Sequence, residues 1–303
     1  MTTDAIETSD EPVRLDVPDS ELGEGPVWDV PSQSLIWVDI TGRFVHRHWP
    51  ADGRVASYRT PSPVGSVCLS RFGGFTLALE DGFWMANEAF DDLRPLALVH
   101  PADSGLRFND GKCDPAGRFW AGSMAYSERP GAGALYRLDA GSSVTRVLED
   151  VGISNGLDWS ADQRTFYYTD TPTQRVVAFD YDVTSGDLGD RRILVRIEPE
   201  HGAPDGLTVD VEGYLWVALW NGWSVRRYTP DGRLDRVIRL PVAQVTSCAF
   251  GGPDLRDLYV TSAAYNLSAD DRRAQPLAGS VFRLRPGPIG RPSVRRHETN
   301  VAT

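Results

Sequence analysis

The sequence is poor in cysteine, which excludes several ways of stabilising a protein or binding a metal. Its 303 residues include only Cys68, Cys113 and Cys248. These three are far apart in the chain and show no C-x-x-C spacing, so the pattern predicts neither a disulfide framework nor a zinc knuckle. We therefore expect reduced, structural thiols.

Basic residues and long apolar runs are also scarce. Lysine and arginine total 31 against 42 aspartates and glutamates, giving a net charge of −11, and no segment concentrates the basic residues. Nucleic acid is therefore not an expected partner. The N-terminal residues lack the basic start and apolar run of a signal peptide, and no run reaches transmembrane length. We expect a soluble, cytoplasmic protein without a membrane partner; the sequence does not indicate an oligomeric state.

Helical periodicity is almost absent, whereas one short strand pattern occurs six times. The copies are LIWVDI, FTLALE, RFWAGS, TFYYTD, YLWVAL and DLYVTS, and each carries one large apolar marker residue. The markers are separated by 40, 43, 47, 49 and 43 positions, and they are Trp37, Leu77, Trp120, Tyr167, Trp216 and Tyr259. A repeat of forty-odd residues with several short strands is typical of a propeller blade.

The repeat predicts an all-β fold, a six-bladed β-propeller with four antiparallel strands per blade. Residues 13–17 precede the first marked hairpin, and residues 280–284 form the last clear strand. Pairing of these two segments would close the ring and remove exposed edges. We expect a single domain over residues 1–303, ordered from about residue 12 to residue 292, with polar tails at 1–11 and at roughly 293–303.

Four repeats carry an acid or amide beside a glycine, at nearly the same distance before the marker. Glu24, Asn109, Asn155 and Asp205 lie 13, 11, 12 and 11 residues before their markers. Because equivalent positions of different blades are related by rotation about the central axis, these side chains are expected to converge at one mouth of the channel.

Carboxylates and amides gathered near an axis favour a bound cation. A hard divalent ion with oxygen ligands fits this set best, namely Ca²⁺, Mg²⁺ or Mn²⁺, and Zn²⁺ or Fe²⁺ remain compatible. The alternative is that Asx-Gly and Glu-Gly pairs merely build turns, which these residue types favour on their own.

At these same positions the sequence resembles the regucalcin, gluconolactonase and luciferin-regenerating enzyme family. The carriers are LGEGPVWD from Leu22, RFNDGKCDPAGRFWAGSM from Arg107, ISNGLDWSAD from Ile153, PDGLTVDVEGYLWVALWNG from Pro204 and TSCAFGG from Thr246. The resemblance covers about residues 14 to 285 and implies a six-bladed propeller with one divalent metal ion.

The resemblance also implies roles for individual residues. It implies metal ligation by Glu24, Asn155 and Asp205, substrate contacts by Arg107 and Asn109, and an acid/base role for Asp205. Asp110, which we also place in the substrate-binding set, is the alternative proton acceptor. One position departs from the family, because a substrate-contacting glutamate is expected twenty residues after Arg107. Ser127 stands there, with Glu128 next to it.

Three functions from different classes follow. The first is metal-dependent hydrolysis of a small sugar lactone, such as a glucono-, xylono-, arabinono- or galactono-lactone, to the aldonic acid. The second is calcium-dependent hydrolysis of organophosphates or aryl esters by a related type of propeller. The third is a non-enzymatic calcium-binding scaffold, although a scaffold does not need in-phase oxygen ligands.

Overall fold

The computed structural model is a ring of six antiparallel sheets, each with four strands of the ring, and it describes residues 6–7, 11–101 and 103–298. Each sheet is one blade, and its strands run in order from the central channel outward in blades 1 to 5. The predicted six-bladed β-propeller is confirmed. The predicted tail at residues 1–11 lies mostly outside the described residues; within it, strand β1 (Ile6–Glu7) pairs in parallel with the outer edge of blade 5.

The strands of blades 1 to 3 follow one another along the chain. Blade 1 has β3 (Gly23–Asp29), β4 (Ser34–Asp39), β5 (Phe44–Trp49) and β6 (Arg54–Arg59). Blade 2 has β7 (Val64–Leu69), β8 (Phe75–Leu79), β9 (Gly82–Ala86) and β10 (Leu93–Leu98). Blade 3 has β11 (Leu106–Cys113), β12 (Phe119–Ala125), β13 (Gly133–Leu138) and β14 (Val144–Val151).

Blades 4 and 5 repeat this order, and blade 6 completes the ring. Blade 4 has β15 (Ser154–Trp159), β16 (Thr165–Asp170), β17 (Arg175–Tyr181) and β18 (Leu188–Arg196). Blade 5 has β19 (Ala203–Val209), β20 (Leu215–Trp220), β21 (Ser224–Tyr228) and β22 (Leu234–Arg239). Blade 6 has β23 (Val245–Gly251), β24 (Asp257–Ser262), β25 (Phe282–Leu284) and β2 (Val13–Arg14).

Blade 6 is closed by the first and last segments of the chain, as predicted. Val13 pairs with Arg283 and Arg14 with Phe282, in antiparallel register. Leu15 extends the pairing, because its N–H donates to the Val281 carbonyl at 2.9 Å. The N-terminal strand β2 is therefore the outer strand of blade 6, and the C-terminal part of the chain supplies the three inner strands.

The marker residues all lie in the second strand of their blades, which explains why they repeat in phase. Trp120 and Trp216 are fully buried, and each indole N–H donates at 2.9 Å to an aspartate of the preceding turn, Asp114 or Asp210. The same aspartates accept backbone N–H groups of their own turns. One carboxylate thus fixes both the turn and the large core side chain behind it.

Short helices are the remaining regular elements. They are two 3₁₀ turns, Thr171–Thr173 and Pro199–His201, and one α-helix, α1 (Ala269–Ala274), which begins after the N-cap Ser268. None of the helices in the described part of the chain is long and apolar enough to cross a membrane. The three cysteines are free and buried, as predicted.

Residues 289–298 form a C-terminal strap across one face of the propeller. The turns that join the second and third strands of the blades lie on the other face. Val211 donates from its N–H to Ile289 O at 3.0 Å, and Gly290 N–H donates to Leu255 O at 2.7 Å. Further along, Arg296 N–H donates to Leu69 O at 2.7 Å, and the side chain of Arg296 is 1% exposed. Much of this strap falls in the segment for which the sequence predicts a tail. The strap is held by backbone hydrogen bonds and by arginine side chains. Because its attachment does not depend on an apolar face, its sequence shows no apolar periodicity.

Candidate active site

The polar residues that share a repeat position lie on the innermost strands, at irregularities in the strand pairing. In each of these blades the register between the first and second strand shifts at that point. The shifts fall between Glu24 and Val27, Phe108 and Gly111, Ser154 and Leu157, and Pro204 and Leu207. A β-bulge bends a strand and re-aims its side chains. The bulges therefore direct these side chains toward the channel mouth.

The glycines beside them serve the close approach of neighbouring blades. A Cβ on Gly156 would lie 2.5 Å from Asp205 O, and one on Gly206 would lie 2.2 Å from Ser247 Oγ. Both glycines are inside strands, and of the four motif glycines only Gly25 has a positive φ, of 50°. These pairs accordingly lie within strands, whereas the turn-building alternative places them in turns.

Five of the six predicted site residues surround one cavity of about 290 Å³ at the channel mouth. Blades 1, 3, 4 and 5 contribute them, and they are Glu24, Arg107, Asn109, Asn155 and Asp205. A volume near 300 Å³ is at the small end of the range for ligand sites. The cavity wall also includes apolar groups, among them Met124, Ile153, Pro172 and Trp220. The cavity thus suits a small molecule with both polar and apolar surfaces.

A chain of hydrogen bonds crosses the cavity floor and fixes its amides. Arg107 Nη1 donates to Asn109 Oδ1 at 2.7 Å, and Asn109 Nδ2 donates to Asn155 Oδ1 at 3.0 Å. Asn155 Nδ2 in turn donates to Thr171 Oγ1 at 2.8 Å, and the Thr171 hydroxyl donates to Pro204 O at 2.8 Å. Each amide therefore has one orientation, and Pro204 is the residue directly before Asp205.

Buried carboxyl groups crowd the cavity floor. Burial raises the pKa of Glu24 to about 8, and the negative charge of Asp110 adds to the increase. Burial, followed by the charges of Glu24 and Asp110, raises the pKa of Asp205 well above its ordinary value. Because burial disfavours charge, the ionised forms of these carboxyl groups are disfavoured without a nearby cation.

These residues fit a divalent cation with oxygen ligands. Asp205 Oδ1 is buried and accepts no N–H or hydroxyl hydrogen bond from a described residue. The Asp205 side chain lies against the carboxyl group of Glu24, an arrangement that is costly for two ionised groups unless a cation binds them. Glu24 and Asn155 supply further oxygen atoms at the same cavity. Among the described residues, no three His, Cys, Asp or Glu side chains form a metal-ligating group. A cation here would therefore need the Asn155 amide oxygen beside the two carboxylates, which is the mixture that calcium accepts.

Asp110 lies apart from the other predicted residues. Its side chain lines a second cavity deeper in the channel, together with Lys112 and Asp158, whose side chains are joined by a hydrogen bond of 3.0 Å. Burial raises the pKa of Asp110 to about 6. The C-terminal strap closes this second cavity through Arg291 and Val294. Asp110 therefore acts on the first cavity through its charge, and it does not line that cavity.

Several residues of the cavity wall escaped the sequence analysis as site residues, among them Glu128 and Tyr265. Glu128 lines the cavity one position after Ser127, and its φ of 53° lies in the left-handed region. Tyr265 lines it from the long connection between β24 and β25. The proximity of Glu128 to Ser127 was visible in the sequence, but the backbone conformation that turns Glu128 into the cavity was not. Tyr265 carries no motif.

The chain matches known proteins over most of its length. The model of the SMP-30/Gluconolactonase/LRE-like region matches residues 22–264. Regucalcin from Xenopus laevis is 41% identical over 270 residues, which cover 87% of this chain and 90% of that protein. A putative sugar lactone lactonase, YvrE, from Bacillus subtilis is 37% identical over 262 residues, covering 86% of this chain and 90% of the relative.

A solved structure agrees with these similarities. The calcium-binding protein regucalcin from Agrobacterium tumefaciens superposes with a TM-score of 0.90 at 31% identity. The match covers 94% of this chain and 97% of that one. The likeness therefore extends to nearly all of both chains.

Proposed function

Because the chain belongs to the SMP-30/Gluconolactonase/LRE-like family, we propose that it is a lactonase that uses one divalent cation. Its substrate is a small sugar lactone, which it hydrolyses to the aldonic acid. The putative sugar lactone lactonase from Bacillus subtilis, at 37% identity, supports the reaction class. The calcium-binding relative supports a divalent cation, for which Ca²⁺ is the first candidate.

The observation that carries the proposal is the meeting of three oxygen donors from three blades. Glu24, Asn155 and Asp205 are far apart in sequence, yet all are buried around one small cavity. The unpartnered Asp205 Oδ1 among them makes a purely structural role costly. These three residues would hold the cation. When bound, a divalent ion would polarise the lactone carbonyl and balance the buried negative charge.

Arg107 and Asn109 orient the substrate in this scheme. Arg107 Nη1 is engaged by Phe108 O and Asn109 Oδ1, at 3.0 and 2.7 Å. Its Nε and Nη2 make no hydrogen bond to a described residue, so they are available to oxygens of a ligand. A guanidinium presents its N–H groups in a rigid fork, which suits adjacent oxygen atoms. Asn109 holds this fork in place.

Asp205 is the proposed general base. A water molecule attacks the lactone carbonyl carbon, and Asp205 accepts the proton that the water loses. The ring C–O bond then breaks, and the ring oxygen takes the proton back from Asp205 to become a hydroxyl group. The new carboxylic acid releases its own proton to solvent and becomes the carboxylate of the product. General-base help of this kind contributes on the order of 10² to 10⁴ in rate. Asp110, the alternative proton acceptor, lines the deeper cavity and not this one, so its proposed contribution is through its charge and not through direct proton transfer.

A pH-stat screen of aldonolactones tests the proposal. The protein is treated with a chelator and then assayed alone and with Ca²⁺, Mg²⁺, Mn²⁺ or Zn²⁺. We expect ring opening of at least one glucono-, xylono-, arabinono- or galactono-lactone only after a cation is restored. Glu24→Ala should abolish this activity, whereas Asp231→Asn, on the exposed β21–β22 turn, should retain it.

Two other outcomes would replace the proposal. Hydrolysis of a paraoxon-like ester at rates above those for every lactone would indicate the organophosphate or aryl-ester hydrolase. Normal cation binding with no lactone or ester opened would indicate a calcium-binding scaffold. We also propose that residues 1–303 form one propeller domain and that the protein acts in the cytoplasm on a small molecule, not on nucleic acid or a membrane.

A further inference from the structure

Blade 6 contains a long insertion on the same face of the propeller as the candidate active site. Residues 263–281 connect β24 to β25 and include helix α1. The insertion is fixed at its start, where Ala264 N–H donates to Glu21 O at 3.0 Å. It is fixed again beyond the helix, where Gln275 Oε1 accepts the Ala243 N–H at 2.7 Å. Anchored at both ends, the insertion forms a wall beside the cavity.

A tight turn in this insertion presents Tyr265 to the cavity. Leu267 N–H donates to Ala264 O at 3.3 Å, and Asn266 takes the left-handed conformation with φ of 56°. Asparagine tolerates this conformation better than most residues. Gln244 Nε2 donates to Tyr265 O at 3.0 Å and holds the turn from the neighbouring strand connection. The half-buried Tyr265 ring packs against the core cluster that includes Leu22 and Ala263, so its position is set by packing.

Tyr265 lines the cavity, and its hydroxyl is open to a ligand. It makes no hydrogen bond to a described residue, although the phenol lies close enough to Arg107 to interact with its charge. Arg107 likewise has free N–H groups at this cavity. By contrast, Asn109, Asn155 and Thr171 bond to one another. The Tyr265 hydroxyl and the Arg107 N–H groups are therefore available to a ligand, in addition to Asp205 Oδ1.

We propose that Tyr265 forms a subsite for a ring hydroxyl of the lactone and determines specificity for polyhydroxylated substrates. This inference rests on the proposed lactonase function. A tyrosine combines an apolar ring face, which contacts C–H groups of a sugar, with a hydroxyl that donates to or accepts from a sugar oxygen. A site that bonds a substrate hydroxyl discriminates against analogues that lack it, because its own polar group is then left unpaired.

The test compares two lactones that differ only in their hydroxyl groups. Tyr265→Phe keeps the ring and removes the hydroxyl. We expect it to lower kcat/KM for a fully hydroxylated aldono-δ-lactone by about tenfold or more, mainly through KM, which corresponds to about 1.4 kcal/mol. For unsubstituted δ-valerolactone the change should be under about twofold.

Tyr259→Phe is the matched control. Tyr259 also carries a phenol hydroxyl, but it is buried in the core between blades 6 and 1 and does not line the cavity. Tyr259→Phe should leave kcat/KM unchanged for both lactones. An equal loss on both lactones with Tyr265→Phe would overturn the proposal, as would no loss on the hydroxylated lactone. Thermal unfolding of both variants checks that they fold.

Direct binding separates this inference from the proposed function. The aldonate product is titrated into the cation-loaded protein, and tryptophan fluorescence is followed, because Trp220 lines the cavity. Affinity that falls about tenfold in Tyr265→Phe supports the subsite even if the wild type opens no lactone. Equal affinity of wild type and variant, or no binding by either, overturns the subsite whatever the catalytic result.

Discussion

Asn109 of blade 3 donates a hydrogen bond to Asn155 of blade 4, from Nδ2 to Oδ1 at 3.0 Å. The same Nδ2 donates to Ser154 O at 2.8 Å, while Oδ1 accepts from Arg107. One buried amide thus orients both a proposed cation ligand and the proposed substrate-binding guanidinium. Because Asn109 makes both contacts at once, its loss leaves Asn155 and Arg107 without this shared partner.

Replacing Asn109 with alanine should weaken cation binding and catalysis together. Leaving buried polar partners unpaired costs about 1–3 kcal/mol, so we expect kcat/KM to fall roughly 10- to 100-fold. Calcium affinity, measured by calorimetry, should fall less than in Glu24→Ala. Asn87→Ala is the control, because Asn87 lies on the exposed β9–β10 turn. Unchanged activity and calcium affinity in Asn109→Ala would contradict the role given to the amide.

Asp205→Asn should stabilise the chelator-treated protein. The substitution removes one of the crowded buried carboxyls, whose charge is opposed by burial and by the charges of Glu24 and Asp110. We expect a higher unfolding temperature than for the chelated wild type. Calcium at 100 times its dissociation constant should stabilise the wild type by about 2.7 kcal/mol and this variant much less. Differential scanning calorimetry with and without calcium measures both effects.

Equal calcium stabilisation of the two proteins would contradict cation binding by Asp205. Asp231→Asn again serves as the control, because its side chain is 63% exposed. It should unfold like the wild type under both conditions.

Glu128 and Ser127 form a matched pair for substrate recognition. Both residues are exposed, but Glu128 lines the cavity and adds negative charge near Arg107, whereas Ser127 does not line it. Glu128→Gln should raise KM for the preferred lactone about tenfold, the effect of losing one charge-assisted hydrogen bond. Ser127→Ala should change KM less than about twofold, because surface substitutions have small effects. Steady-state kinetics of the two variants measure both KM values. A larger increase in KM for Ser127→Ala than for Glu128→Gln would show that Ser127, and not Glu128, takes the place of the family's substrate-contacting glutamate.

The C-terminal strap should contribute to stability and not to chemistry. A chain ending at Gly287 loses the backbone hydrogen bonds to Val211, Leu255 and Leu69. At roughly 1 kcal/mol for each bond, together with lost packing, we expect the unfolding temperature to fall by about 5–10 °C. Activity at low temperature should persist. A chain ending at Glu298 is the control, and a full loss of activity in the folded shorter chain would contradict this division.

The blade repeat could be predicted because it depends on local patterns. The marker residues recur in phase since each occupies the second strand, where Trp120 and Trp216 bond to turn aspartates. The different positions of Asn109 and Asp110 could not be predicted. Neighbouring residues of a strand face opposite sides, and a bulge changes which residue faces which side. Sequence spacing alone therefore placed both at one site, whereas the structure separates them between two cavities.

The strap and the blade 6 insertion were missed for a related reason. Neither segment contains an alternation of apolar residues. The strap is held by backbone hydrogen bonds and arginines, and the insertion places Tyr265 at the cavity through a single turn. Such contacts are made with residues far away in the chain, as between Arg296 and Leu69. A single sequence records the composition of these segments but not their partners.

Pairing of Val13 with Arg283 also sets the order of events during synthesis. The N-terminal strand emerges from the ribosome first, but its partner is translated only near the end. At about 5–20 residues per second, the first strand waits roughly 15–55 s for β25. Until then the outer strand of blade 6 has no neighbour, and it exposes both of its unpaired backbone edges to chaperones and to other nascent chains.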